Sequence, residues 1–197
     1  ANHWRNIAQN PKRAKYIGYL WGDALRGYLS DMIIAQAYAL YNHQIIRDRI
    51  FAIIKKLCKA KCVESIFTTH NYISITDDVP MLRKGAIDAS ESCKVAIPFN
   101  MRDGIAICIG KGNKQWLNTA PHGAGRIMSR AQAKKQISLT EFENSMTGIY
   151  SSSVCAGTLD ESPMAYKPTD EILELIRPTV EVIAMIKPKL NIKDNGE

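Results

Sequence analysis

Only four histidines occur among the 197 residues. One of them, His122, is set in "NTAPHGAGRIMSR" (118–130), between small residues and glycines, with Arg126 and Arg130 following. Gly123 and Gly125 carry no side chains, so a large anion can approach the backbone there. A helix starting just afterwards would aim free N–H groups at such an anion, and Arg126 would add a forked donor for phosphate. A neutral imidazole in this setting can attack phosphorus and form a covalent phosphoramidate. The same residues also make an ordinary tight turn in which His122 caps or packs, and the local pattern leaves both readings open.

His70 is the second candidate. It lies in a strand-like segment ahead of Asn71 and Tyr72. A metal site needs about three or four protein donors, and the spacing shows no partner set, so composition leaves His70 unassigned. His43 falls inside a helical pattern and reads as a surface or packing residue. Cys58 and Cys62 fit a metal spacing loosely, but no second Cys/His pair follows, and the five cysteines read as free thiols of a reducing cytosol. "GKGNKQW" lacks the Gly-Lys-Ser/Thr ending of a phosphate-binding loop, and Gly110-Lys111-Gly112 reads as a turn.

The elements that must position these residues follow from periodicity. Residues 23–58 repeat apolar side chains at three- and four-residue spacing without a proline, which predicts one long helix weakened near Gly27. From Val63 to Ala120 the texture turns β-branched and aromatic, with loops at 77–80 and 90–92. Within it, "KVAIPFNM" and "IAICIGKG" flank a hairpin turn at Arg102-Asp103-Gly104. A helix is expected over about 127–137. Thr140 and Glu143 have the spacing of a capping box. "TDEILELIRPTVEVIAMIK" reads as a closing amphipathic helix, with Asp170 and Glu171 favourable at its start and Pro178 breaking or kinking it. The expected architecture is α+β: a β-rich central block, a long N-terminal helix and C-terminal helices, in a single domain over 1–197.

Composition narrows the class. With 46% hydrophobic and 23% charged residues, the chain is an ordinary globular one. Every apolar stretch is interrupted too soon to span a bilayer, and the polar, basic N-terminus has no signal-peptide core, so a cytoplasmic protein is expected. The net charge of +7 favours polyanionic partners without singling out nucleic acid.

Taken in order, the motifs are far more specific than any one of them. "HNY" (70–72), "RKGA" (83–86), "IPFNMRDG" (97–104), "GKGN" (110–113), "APHGAGRIMSR" (120–130), "LDESPMAYK" (159–167) and "PTVEV" (178–182) follow one another along the chain. This set closely resembles the C-terminal part of the RtcB-type RNA ligases. The helix with "DMIIAQAYALYNHQIIRDRI" resembles a mid-sequence helix of that family.

The resemblance implies a GTP- and manganese-dependent ligase of tRNA splicing and RNA repair. A histidine takes GMP from GTP and passes it to an RNA 3′-phosphate, itself obtained where necessary from a 2′,3′-cyclic phosphate. A 5′-hydroxyl then attacks and GMP leaves. The guanylylated histidine falls on His122, a metal-binding histidine on His70 and a guanylate-contacting Asn on Asn71. The nucleotide loop corresponds to Pro98, Phe99, Asn100 and Met101, in a form that departs from the commoner Pro-Gly-Ser-Met-Gly. A nucleotide-contacting Ser would fall on Ile105, where that contact is lost. Gly123, Ala124 and Gly125 would line the GMP phosphate, and a guanine-contacting lysine falls on Lys193. Arg126 and Arg83 are phosphate or RNA candidates, and Lys84, Arg130, Lys134 and Lys135 extend the basic footprint. The partners implied are RNA, tRNA among it, and an activating protein such as archease.

The family's other metal ligands, including a "GGGNH" motif, belong to its N-terminal half and do not occur here. Together with the missing initiating Met, this predicts the C-terminal portion of a full ligase. The alternative is a truncated, non-catalytic RNA- or nucleotide-binding homologue.

Overall fold

The computed structural model describes residues 2–9, 18–76 and 79–193. Asp77 and Asp78, half of the expected loop at 77–80, lie outside these residues. The chain divides into two compact units, one comprising residues 1–65 and 72–82 and the other residues 66–71 and 83–197.

The first unit is organised by the expected long helix. After α1 (Asn2–Ile7), α2 runs without interruption from Gly22 to Leu57, with Lys55 and Lys56 placed favourably in its last turn. Gly27 weakens the helix as a propensity but is needed for packing. A Cβ there would come within 2.5 Å of the Trp4 ring, whose indole donates to Asp31 at 2.8 Å. The isoleucines and tyrosines of the predicted stripe, among them Ile34, Tyr38, Ile45 and Ile53, remain exposed. Strands β1 (Asn71–Thr76) and β2 (Val79–Lys84) pair as a two-stranded sheet, of which residues 72–76 and 79–82 belong to this unit. Within this unit, Gln36 of α2 accepts a bond from the Ile73 amide at 2.7 Å. Residues 63–69, expected to be strand, form no regular element.

The second unit carries the β-rich core. Strands β4 (Lys94–Pro98) and β5 (Ile105–Gly110) form the predicted antiparallel hairpin around the turn at 101–104, and β5 pairs in turn with β7 (Val180–Ile186). Strand β3 (Ala86–Asp88) pairs separately with β6 (Thr119–Pro121). Alternate residues of β4 and β5, Val95, Ile97, Ala106 and Cys108, are buried with Ile87, Phe99, Ile172 and Ile176. The architecture is α+β, as expected.

The C-terminal helices need correcting. The expected closing helix is two elements. Helix α5 (Thr169–Leu175) stops ahead of Pro178, and residues 180–186 are strand. Pro178 ends the helix, and the β-branched "VEVIAMI" gains a partner in β5 that helix periodicity cannot reveal. The helix expected over about 127–137 is α3 (Arg130–Gln136). Its start is delayed because Arg126 bridges Tyr166 and the Ile127 amide bonds the Ala165 carbonyl, keeping the chain extended. Ser129 and Gln132 then close a capping box. Helix α4 (Leu139–Ser145) is capped by Ser138 and Glu141, two residues earlier than the expected Thr140 and Glu143 pair, which buries Phe142.

Candidate functional site

The site is assembled in the second unit from chain segments far apart in sequence. Gly85 stands at its centre, in the left-handed region at φ +68°. Its N–H is directed at the His70 carbonyl (2.8 Å) and the Asn71 side-chain oxygen (3.2 Å). Its carbonyl faces His122, whose Nδ1 lies 2.8 Å away and whose backbone N–H donates to it at 3.3 Å. The rings of His70 and His122 are stacked, with centroids 4.9 Å apart and planes 13° from parallel. A carbonyl oxygen only accepts, so this contact is a hydrogen bond in the tautomer with the proton on Nδ1 and the lone pair on Nε2.

His122 opens onto a cavity of about 760 Å³, within the range of small-molecule sites. Its walls include Pro98 to Met101, His122 to Arg126, and Lys193. With Arg130, eleven residues singled out in the sequence therefore share one cavity with Ile105. Phe99 packs into the sheet core and Met101 against Phe142. The Asn100 side chain is occupied too: it accepts from the Arg102 and Asp103 amides and donates to the Asp103 carboxylate. Gly104 also pairs with the Phe99 amide and the Asn100 carbonyl, which leaves Pro98 and the remaining backbone groups of the loop for a ligand.

Burial alone would raise the Asp103 carboxyl, but bonds from Arg102, Asn100 and Thr169 outweigh it and hold it at about 2. Gly123 has no room for a side chain, because a Cβ would come within 2.8 Å of the Pro98 carbonyl. The glycine turn thus packs directly on the 98–101 loop. The helix dipole expected behind it is not in place, since α3 begins five residues after Gly125.

The cations of the cavity are gathered on a carboxylate to which the sequence assigned no role. Glu161, only 14% exposed at its side chain, accepts from Arg130 (2.6 Å), Lys193 (3.1 Å) and the Tyr166 hydroxyl (2.8 Å), and Arg126 lies at 3.7 Å. Burial works against its charge, but the Tyr166 hydroxyl, Lys193 and Arg130 hold its carboxyl below the ordinary range. Burial and Glu161 together push the Tyr166 hydroxyl up to about 12. Arg126 also bonds the Met128 and Asp160 carbonyls and the Tyr166 hydroxyl. Its fork is therefore engaged within the protein.

Arg83 is not part of the cavity lining. It is buried at 8% exposure and donates to the Leu117 carbonyl at 3.3 Å. The five cysteines are free thiols, and burial pushes Cys108 up to about 11, which makes it a poor nucleophile. No group of three or more His, Cys, Asp or Glu side chains converges among the described residues. A manganese ion does not fit the single imidazole that His70 offers, since such a cation takes several hard donors.

A model of the family described as tRNA-splicing ligase RtcB matches residues 8–194. The chain belongs to the RtcB family. It is similar to the RNA-splicing ligase RtcB of Escherichia coli K12, with 29% identity over 157 residues, covering 74% of this chain and 38% of that protein. The tRNA-splicing ligase RtcB of Aeropyrum pernix is 38% identical over 101 residues, or 49% of this chain and 20% of that protein. That of Nanoarchaeum equitans is 28% identical over 182 residues, covering 76% and 38% respectively. The chain thus spans well under half the length of these RtcB relatives. No helix among the described residues is long and apolar enough to cross a membrane.

Proposed function

We propose that this chain is the nucleophile-bearing, nucleotide-binding part of an RNA ligase, using GTP to join an RNA 3′-phosphate to a 5′-hydroxyl. The observation that carries the reading is the setting of His122: Nδ1 is held by the Gly85 carbonyl at the mouth of a cavity walled by the glycine turn and Lys193. The Nε2 lone pair attacks the α-phosphorus of GTP, the N–P bond forms, and the bond to pyrophosphate breaks. The ring acquires positive charge in that step, and the Nδ1–H bond to a carbonyl disperses it. GMP then passes to the RNA 3′-phosphate, freeing the imidazole, and a 5′-hydroxyl displaces GMP as the new phosphodiester forms. Stacked His70 limits the rotation of the His122 ring, and Lys193 offers a donor to a guanine carbonyl.

Manganese would need donors beyond the described residues, and His70 alone among them would face it. That same shortage of donors favours a second reading, a nucleotide-binding homologue without ligase chemistry.

Incubation with α-labelled GTP and manganese separates the two. The isolated chain is expected to label weakly or not at all. Joined to the metal-binding region of an RtcB relative, it is expected to acquire acid-labile label that His122→Ala abolishes. Label surviving that substitution overturns the ligase reading, and GTP binding with no label in the joined protein supports the second.

A further inference from the structure

We propose that Gly85 is a positioning residue whose peptide group selects the tautomer of His122, a role that rests on His122 being the nucleophile. An unconstrained neutral histidine prefers its proton on Nε2, which leaves that atom without a lone pair. Attack from Nε2 therefore requires the less common tautomer, and something in the fold has to impose it.

Gly85 does so with an acceptor that has no alternative role. Its carbonyl cannot donate, so Nδ1 at 2.8 Å must bring the proton; a bare Nδ1 would set two lone pairs against each other. The same oxygen accepts from the His122 backbone N–H at 3.3 Å, so main chain and ring are referenced to one atom. The direction of that carbonyl is fixed from the other side of the residue. The Gly85 N–H lies between the His70 carbonyl and the Asn71 side chain. One residue thereby links the metal candidate at 70, the guanylate-contacting candidate at 71 and the nucleophile candidate at 122.

The arrangement also accounts for a glycine at this position. At φ +68° an L side chain is strained. Steric exclusion is not the reason, because a Cβ would meet the His122 ring at 3.5 Å, an ordinary contact. A substitution at Gly85 should therefore act by turning the peptide, and with it the carbonyl, away from Nδ1.

The test is imidazole nitrogen NMR on the 197-residue chain, without GTP or metal, at a pH well above the ordinary imidazole range. With four histidines in the chain, a His122→Gln sample assigns the signals. We expect His122 to show a protonated Nδ1 and a bare Nε2, with a scalar coupling across the hydrogen bond to the Gly85 carbonyl carbon. Gly85→Ala, with its fold checked by its backbone amide spectrum, should lose the coupling and shift His122 mainly to the Nε2–H form. An Nε2–H tautomer in the unsubstituted chain overturns the proposal, as does an unchanged tautomer in folded Gly85→Ala. Should that variant fail to fold, the coupling in the unsubstituted chain decides, and its absence overturns the role. Neither readout requires ligase chemistry. An Nδ1–H tautomer in a protein that never labels would end the ligase reading alone, whereas labelling with an Nε2–H tautomer would end this one.

Discussion

The imidazole of His122 lies face to face with that of His70, 4.9 Å between centroids and 13° from parallel. The two come from segments 52 positions apart, and both are exposed side chains. Removing His70 should therefore affect the orientation of His122 far more than the fold. His70→Ala is expected to reduce GMP labelling of the joined protein by about tenfold or more, the scale seen when groups that orient a reactive centre are lost. Its thermal midpoint should change by no more than about 2 °C. Full labelling by His70→Ala would show that the stack has no part in the reaction.

Acid titration should reveal Asp103. Its carboxyl is held at about 2 against an ordinary 3.8, because Arg102, Asn100 and Thr169 outweigh its burial. A carboxyl lowered by folding contributes stability that is fully present above the unfolded value and is lost as pH falls through the folded one. The window is therefore roughly pH 4 down to pH 2. Chemical unfolding followed across that window should give a shallower loss of stability in Asp103→Asn than in the unsubstituted protein. Parallel slopes would mean that the Asp103 bonds do not persist in solution.

How far the sequence reaches depends on the range of the interaction. The long helix, the 94–110 hairpin and the cavity segments 98–101 and 122–126 are legible because their signals are local or lie in contiguous motifs. Residues 180–186 read as helix in the sequence because a strand is fixed by its partner, here β5, and a short apolar run fits either period. Both Ser138/Glu141 and Thr140/Glu143 have the capping-box spacing, and only the burial of Phe142 decides between them. Glu161 lies inside the motif at 159–167, but nothing local gives its carboxylate a role. Its partners Arg126, Arg130 and Lys193 lie at least 31 positions away, and Tyr166, the near one, gains meaning only beside them.

Glu161 should matter to stability by a moderate amount. Its carboxylate is largely covered, which argues for a large loss when its charge is removed. Arg130 and Lys193 are 67% and 42% exposed at their side chains, however, so water can take over much of their solvation. The second effect should dominate. Glu161→Gln is expected to cost about 1–2 kcal/mol, or about 2–8 °C in thermal midpoint for a chain of this size. A cost near zero would mean that these surface-reaching cations gain nothing from the carboxylate.

Lys193 is held at the cavity by a residue outside it. The Ser153 hydroxyl, buried at 2% exposure, donates to the Lys193 carbonyl at 2.6 Å and accepts from the Lys193 amide at 3.1 Å. Both backbone groups of the lysine are thus satisfied by one side chain 40 positions earlier. Ser153→Ala removes both bonds to the backbone of exposed Lys193, a loss of about 1–2 kcal/mol, and frees the segment that carries the ammonium. If Lys193 donates to guanine, Ser153→Ala and Lys193→Met should both weaken GTP binding, each by about tenfold for a lost charge-assisted bond. ATP, which offers an amino group where guanine offers a carbonyl, should be affected much less by Lys193→Met. Calorimetric titration of both nucleotides checks this. Equal losses for GTP and ATP would place Lys193 on the phosphates, and an unaltered affinity in Ser153→Ala would mean that the lysine reaches the nucleotide without its anchor.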